Sequence, residues 1–334
     1  MKLWFILFCS FVLSASSLFG LELPDVFGDK AILQCEQNVP VWGTAQPGEK
    51  VQVSFGGQTV SAKADDRGSW RVELAPLEAS VEGKDLVVTG EKETLKRVDI
   101  LVGEVWLCAG QSNMSALGDR TTWTRTGELA DMSSFPNPLV RLFSRTQRLT
   151  PAERLAGKVE LGKSEWVVPE RNPNLPMRVA VMLQNELKVP IGVIKINLGG
   201  TKIFPWLRES LKIPQKVAQR RDDVREKLNM AIKDIEAGGD AGELGGYIIH
   251  QRQGSIDKLN VEPVVGYALR GFLWYQGESN AKDYKKGIEP VLYTDCMELL
   301  VNDWRERWKK PLPFHYVQIA TDPKPAGPVR KWRI

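Results

Sequence analysis

The sequence predicts an α/β protein: a parallel sheet sandwiched by helices, preceded by a small N-terminal β-sandwich. Three observations predict it. From about residue 99, apolar runs rich in Val, Ile and Leu alternate with helical patterns, as in a parallel sheet covered on both faces. Most of those runs end in small or polar residues, the way strands do when they deliver loops to a ligand-binding edge. Residues 21–98, by contrast, hold only short stretches of period-two alternation separated by turn residues.

In chain order, residues 1–20 (MKLWFILFCSFVLSASSLFG) join a lysine to an apolar run of about a dozen residues and then to small ones. That is the pattern of a secretory signal peptide, with cleavage after Ala15, Ser17 or Gly20, and it predicts a secreted or periplasmic protein. A retained N-terminal anchor is the alternative, although the run is shorter than the ~20 residues of a membrane-spanning helix. Residues 21–98 contain NVPVWG, KVQVSF, TVSAKA, WRVEL and DLVVTG as strands, with QPGEK, FGGQ, DDRGS and VEGK as turns. In residues 99–334 the expected strands are DILVGEVWLCAG, LVRLF, GVIKINLGG, LRGFLWYQG and FHYVQIA. The expected helices are MRVAVMLQNEL and a longer one across 283–309. A helical insertion is expected around 204–262, where Val217, Val224, Leu228, Ile232 and Ile235 share one face.

Composition narrows the function classes. The 334 residues are 43% hydrophobic and 26% charged, ordinary globular values that exclude a disordered chain, a coiled coil and a polytopic membrane protein. A net charge of +4 without a basic block gives no case for nucleic acid. Two histidines exclude a His-rich metal site. Of four cysteines, Cys9 lies in the signal; Cys35, Cys108 and Cys296 form neither a disulfide framework nor a zinc pattern. Cys108 reads as a buried small hydrophobe.

Three strand ends carry candidate chemistry. In Gly110-Gln111-Ser112-Asn113-Met114, a serine just past a strand can present its hydroxyl at the sheet edge and its backbone N–H to an oxyanion; as a bland alternative it caps a helix. In Leu198-Gly199-Gly200-Thr201, a glycine pair lets the backbone approach a ligand and aim an N–H at it, or simply turns the chain. In Gln276-Gly277-Glu278-Ser279-Asn280, a glutamine can offer its amide to an oxyanion, and Glu278 is either a general base or a residue that orders the loop. The glycines match neither GxGxxG nor a phosphate-binding loop, which disfavours a nucleotide-binding protein. Asn113-Met114-Ser115 fits the N-glycosylation pattern by chance, since a glycan there would obstruct the serine.

Taken together, GEVWLCAGQSNM, NLGGT and LRGFLWYQGESNA closely resemble the sialate O-acetylesterase family, a branch of the SGNH/GDSL-type hydrolases. VFGDKAILQCEQNVPVWGTAQPGEKVQVSFGGQ resembles the β-sandwich that precedes that family's catalytic domain, and DWRERWKKPLPFHYVQIA its late helix and strand. The resemblance implies an SGNH-hydrolase-like (flavodoxin-like) fold with no metal and no cofactor. It implies Ser112 as nucleophile and an oxyanion hole of the Ser112 and Gly200 N–H groups plus the Gln276 side chain. Gln111, Asn113, Thr201, Glu278 and Asn280 would surround the substrate, an acetylated carbohydrate such as sialic acid or a related sugar.

The same resemblance calls for a histidine base in a late Asp-x-His or Asp-x-x-His block, and no such spacing occurs in the chain. The expectation is therefore a chain truncated before that block, weakly active or inactive, exposing apolar surface where a final helix would pack. His315, expected as a packed strand residue, and His250, in the insertion, are the remaining histidines. SIDKLNVEPVVGYALRG and LPMRVAVML also depart from the family's usual text, which bears on the substrate pocket. The alternative reading is a non-catalytic carbohydrate-binding or scaffold protein that keeps the fold without the base.

Overall fold

A computed structural model describes residues 20–115, 135–145, 164–170, 174–213, 253–284 and 291–319, with scattered positions between 215 and 239. Residues 1–19 of the expected signal sequence, most of the helical insertion expected around 204–262 (between residues 214 and 252), and His250 lie outside the described residues.

The N-terminal strands are β1 (Ile32–Gln34), β2 (Val39–Thr44), β3 (Lys50–Phe55), β4 (Gln58–Lys63), β5 (Ser69–Leu74) and β6 (Ser80–Thr89). The period-two text dictates their burial. Val51, Val53 and Phe55 of β3 point inward, and Trp70, Val72 and Leu74 of β5 share the same core. The β3–β4 hairpin turns at Gly56 and Gly57, whose φ values of 57° and 81° suit a turn that demands positive φ twice. β2 and β5 form a separate two-stranded sheet, while β4, β3 and β6 join the main one.

One long strand then connects everything. β7 (Thr94–Gly110) spans 17 residues and runs across the expected boundary at residue 98 without a break. Its first part pairs with β6 antiparallel and with β1 parallel. At the crossover Asp99 takes a left-handed φ of 57°, and both its carboxylate oxygens accept from Arg141 at 3.0 Å. Arg141 belongs to β8 (Val140–Ser144), so the ion pair fastens the second sheet region to the first.

The later strands are β9 (Trp166–Val167), β10 (Ile191–Asn197), β11 (Gly271–Tyr275) and β12 (Phe314–Tyr316). Across the sheet the order is β9-β8-β10-β7-β11-β12, with all but β9 parallel. The chain builds β8 and β10 on one side of β7 and then β11 and β12 on the other. That reversal is a topological switch point, and it opens a crevice at the carboxyl ends of β7, β10 and β11.

Helices cover both faces. α1 (Leu175–Leu187) starts at Asn174, whose side chain caps the Met177 N–H at 3.2 Å. Its Met177, Ala180, Val181 and Gln184 are buried, the i, i+3, i+4, i+7 stripe of an amphipathic helix. The apolar members pack with Cys108, Val140, Leu142, Ile191 and Val193 on one sheet face. α2 (Glu278–Tyr284) is short. α3 (Val291–Trp308) sets Cys296, Leu300, Trp304 and Trp308 against the other face. There Phe272 and Trp308 meet edge-on at 5.2 Å, as do Trp274 and Trp304 at 5.9 Å.

His315 lies in β12 as expected, yet it is exposed rather than packed. Among the described strands β12 pairs only with β11, and the imidazole rests against Trp106 at 5.8 Å. The three described cysteines are buried and form no disulfide among the described residues. Burial pushes the Cys108 thiol up to about 12. No described helix is long and apolar enough to cross a membrane.

Candidate active site

Three strands end level with one another. Gly110, the last residue of β7, pairs with Asn197 of β10 on one side and Tyr275 of β11 on the other. The glycine is required: its φ is 150°, and a Cβ there would lie 2.0 Å from the Tyr275 carbonyl oxygen. Beyond the strands, Gln111 N–H donates to Tyr275 O at 3.0 Å and Leu198 N–H to Gly110 O at 3.1 Å. The three following loops therefore leave the sheet side by side.

The first loop closes into a 3-10 turn, Ser112–Ser115, with Met114 N–H bonded to Gln111 O at 3.0 Å. Met114 is buried against the α1 face, and Ser112 points to solvent. Flanking residues hold the turn from both sides. The Gln111 side-chain carbonyl accepts from Gly277 N–H at 3.4 Å and Ser279 N–H at 3.3 Å. The Asn113 side-chain amide donates to Glu278 Oε1. Glu278 Oε2 is buried with no partner among the described residues; burial raises this carboxyl's pKa, while its hydrogen bonds pull the other way.

The second loop brings Gly199 against the serine: a Cβ on Gly199 would lie 3.6 Å from Ser112 Cβ. Gly200 is exposed, at a φ of 75°, with open space where a Cβ would stand. Thr201 is buried; its hydroxyl donates to Leu198 O at 2.8 Å and accepts from the Trp206 indole at 3.4 Å.

The third loop supplies Gln276, whose Nε2 donates to Thr201 O at 3.0 Å, Asn280 Oδ1 at 2.8 Å and Gln111 Oε1 at 3.3 Å. Asn280 Oδ1 also accepts from Ile203 N–H at 3.0 Å. The structure thus brings all eight sequence-predicted site residues into one cluster, and burial divides them. Ser112 and Gly200 are exposed, while Asn113, Glu278 and Asn280 are half-buried. Gln111, Thr201 and Gln276 are 4%, 1% and 2% exposed, which leaves them little surface to offer a substrate. The donor role that the resemblance implies for Gln276 asks for amide hydrogens open to a ligand. Here they face protein acceptors, and the buried Oε1 has no partner among the described residues.

Sequence reasoning missed Tyr293 of α3, whose hydroxyl donates to Gln276 O at 2.8 Å and receives the Trp274 indole at 3.3 Å. Nothing in the helix text marks it. Among the described residues, His315 is not brought to Ser112. His315 pairs with Leu273, which is level with Cys108, two residues below the strand ends. It is also two strands from β7, roughly 10 Å sideways. No group of three or more His, Cys, Asp or Glu among the described residues could hold a metal ion.

A parallel sheet covered on both faces, with a serine turn and a glycine loop adjoining at its switch point, defines an SGNH-hydrolase-like α/β protein. The chain belongs to the carbohydrate esterase family of sialic acid-specific acetylesterases, whose family model matches residues 102–333. It is 26% identical to a sialate O-acetylesterase of Mus musculus over 346 aligned positions, covering 92% of this chain and 62% of the relative. The corresponding Homo sapiens protein is 27% identical, with 91% and 58% covered. A crystal structure of a carbohydrate acetylesterase from Xanthomonas citri superposes with a TM-score of 0.64 at 26% identity, covering 90% of this chain and 60% of that one. The chain thus spans about six-tenths of the length of these relatives.

Proposed function

We propose that this chain carries the nucleophile and oxyanion cradle of an exported carbohydrate O-acetylesterase, which removes acetyl groups from sialic acid or a related sugar. The observation that carries the reading is the exposed Ser112 at the switch point with Gly199 and Gly200 beside it. Ser112 Oγ attacks the ester carbonyl carbon and gives its proton to a base. The carbonyl oxygen becomes an oxyanion facing the backbone N–H groups of Ser112 and Gly200. Collapse expels the sugar hydroxyl and leaves an acetyl-serine, which water hydrolyses to acetate. Gln111, Thr201, Gln276 and Asn280 hold the loops in register, and Asn113 and Glu278 brace the serine turn.

Residues 1–20 direct export in this reading, and the mature protein meets its sugar outside the cytoplasm. Loss of one triad member typically costs a factor of about 10⁴ or more. His315 stands two strands from β7 and no Asp-x-His or Asp-x-x-His spacing occurs in the sequence, so slow turnover is the expectation of this reading. The same observation favours a second reading, a sugar-binding protein without catalysis.

The experiment is acetate release from O-acetylated sialic acid by the 334-residue chain, beside labelling with a fluorophosphonate. Slow release that vanishes in Ser112→Ala, with stoichiometric labelling at Ser112, supports the esterase. No release and no labelling sinks it in favour of the binding protein.

A further inference from the structure

Tyr293, in the first turn of α3, directs its hydroxyl at the loop that follows β11. The hydroxyl receives the Trp274 indole N–H at 3.3 Å and donates to Gln276 O at 2.8 Å. The first bond fixes the direction of the second: an indole N–H only donates, so the phenol's one proton is left for the carbonyl. Trp274 does not yield, being 1% exposed and packed edge-on against Trp206 at 5.1 Å and Trp304 at 5.9 Å. Burial pushes the Tyr293 phenol up, and the charge of Glu278 adds to it, so the proton stays on the hydroxyl at neutral pH.

That carbonyl belongs to the Gln276–Gly277 peptide, and the N–H of the same peptide faces the serine loop. Gly277 N–H donates to Gln111 Oε1 at 3.4 Å, where Gln276 Nε2 and Ser279 N–H also arrive, each at 3.3 Å. A length of 3.4 Å is long for an N–H···O bond, whereas 2.8 Å is close to the ideal for O–H···O, so Tyr293 is the stronger hold on this peptide. Gly277 sits at a φ of 152° and has no side chain to resist a rotation of the peptide about its own axis.

A rotated peptide would aim the Gln276 carbonyl at Gln111 Oε1, acceptor against acceptor, and push Gln111 away. Gln111 is 4% exposed and directly precedes Ser112, so the serine turn would shift with it. We propose that Tyr293 is a positioning residue: its hydroxyl locks the Gln276–Gly277 peptide toward Gln111 and thereby holds Ser112 in place for attack. The effect on Ser112 rests on the esterase reading, and the lock itself does not.

The test compares the full chain with Tyr293→Phe, which removes the hydroxyl and keeps the ring. Amide hydrogen exchange is read at Gly277 and Ser279, and fluorophosphonate labelling is timed at Ser112. Loss of the hydroxyl should speed exchange at both amides about tenfold and slow labelling by a similar factor. Exchange at Leu107 and Phe272, inside the paired strands β7 and β11, should not change. In a Gln111→Ala background, where the route to Ser112 is already cut, Tyr293→Phe should slow labelling no further. Unchanged exchange at Gly277 and Ser279 overturns the lock, whether or not Ser112 reacts. An equal rise at Leu107 and Phe272 overturns it as well, because the hydroxyl then supports the whole fold. Faster exchange with unchanged labelling, or losses that add in the Gln111→Ala background, overturns the positioning role. A parent chain that does not label sinks the esterase reading and the positioning role with it, while exchange still decides the lock.

Discussion

The side-chain amide of Gln276 donates to the backbone carbonyl of Thr201 across 3.0 Å, tying the loop that bears Gly200 to the loop that follows β11. The same nitrogen reaches Asn280 Oδ1, which in turn accepts from Ile203 N–H, so the tie is doubled. Gln276→Ala leaves the Thr201 carbonyl without this donor, at roughly 1–3 kcal/mol, while Asn280 Oδ1 keeps the Ile203 N–H. The expected outcome is a lower Tm together with a fall of about two orders of magnitude in acetate release, because the Gly200 N–H loses its aim. Thermal unfolding and turnover measured on one preparation check it. A loss of turnover with an unchanged Tm would instead favour a direct contact between Gln276 and the oxyanion.

Two glycines at the strand ends make opposite predictions. Gly110→Ala forces a Cβ to within 2.0 Å of the Tyr275 carbonyl, and the β7–β11 pairing cannot close around it. Destabilisation of several kcal/mol or failure to fold is expected, on the order of the largest single-residue effects. Gly200→Ala meets nothing within 4 Å, and its cost is that of a left-handed alanine, about 1 kcal/mol. That variant should fold, with a Tm lower by only a few degrees. Circular dichroism melts of the two variants side by side decide the matter.

Much of this fold is legible in the residues because burial follows periodicity. KVQVSF and WRVEL alternate, and their alternate residues are buried; GVIKIN is mostly apolar and, apart from the half-buried Lys195, is buried on both faces. The strand ends are legible for the same reason, since Gly110 and the Gly199-Gly200 pair stand where apolar text stops. What is not legible is long-range pairing. Nothing local says that β7 continues through residue 98 into both sheet regions, because that depends on Arg141 reaching Asp99 from another strand. Nor does GESN text say whether Gln276 faces ligand or protein. That is set by where Thr201 and Asn280 arrive, and a side-chain amide takes whichever acceptors it meets.

The buried thiols give a further prediction. Cys35, Cys108 and Cys296 are buried and in no disulfide among the described residues, and only a thiolate reacts rapidly. Burial pushes Cys108 up to about 12 and raises Cys35 as well. Native protein lacking residues 1–20 should therefore show no rapid reaction with a thiol-directed disulfide reagent at pH 8. Three equivalents should react once the chain is unfolded in guanidinium. A rapid native equivalent would mean that at least one of these side chains is open to solvent.

Behind the site, Asp257 and Asp303 share Arg307, and Asp303 also binds Arg208 at 2.7 Å. Burial raises the Asp257 carboxyl from 3.8 to about 6, and it outweighs the attraction of Arg307, which pulls the other way. A carboxyl whose pKa is raised on folding binds more protons in the folded than in the unfolded chain between those two values. Its contribution therefore favours the fold below pH 3.8 and declines as the pH climbs to about 6. Asp257→Asn keeps the shape and an acceptor for Arg307 but removes this titration. Expected is a Tm profile for the variant that, relative to the parent, gains stability steadily from pH 4 to pH 6 and then runs parallel to it. The difference between two profiles cancels the carboxyls that do not interact with Asp257 or Arg307. A difference that stays flat through that window would show that Arg307 holds Asp257 ionised, with burial the weaker effect.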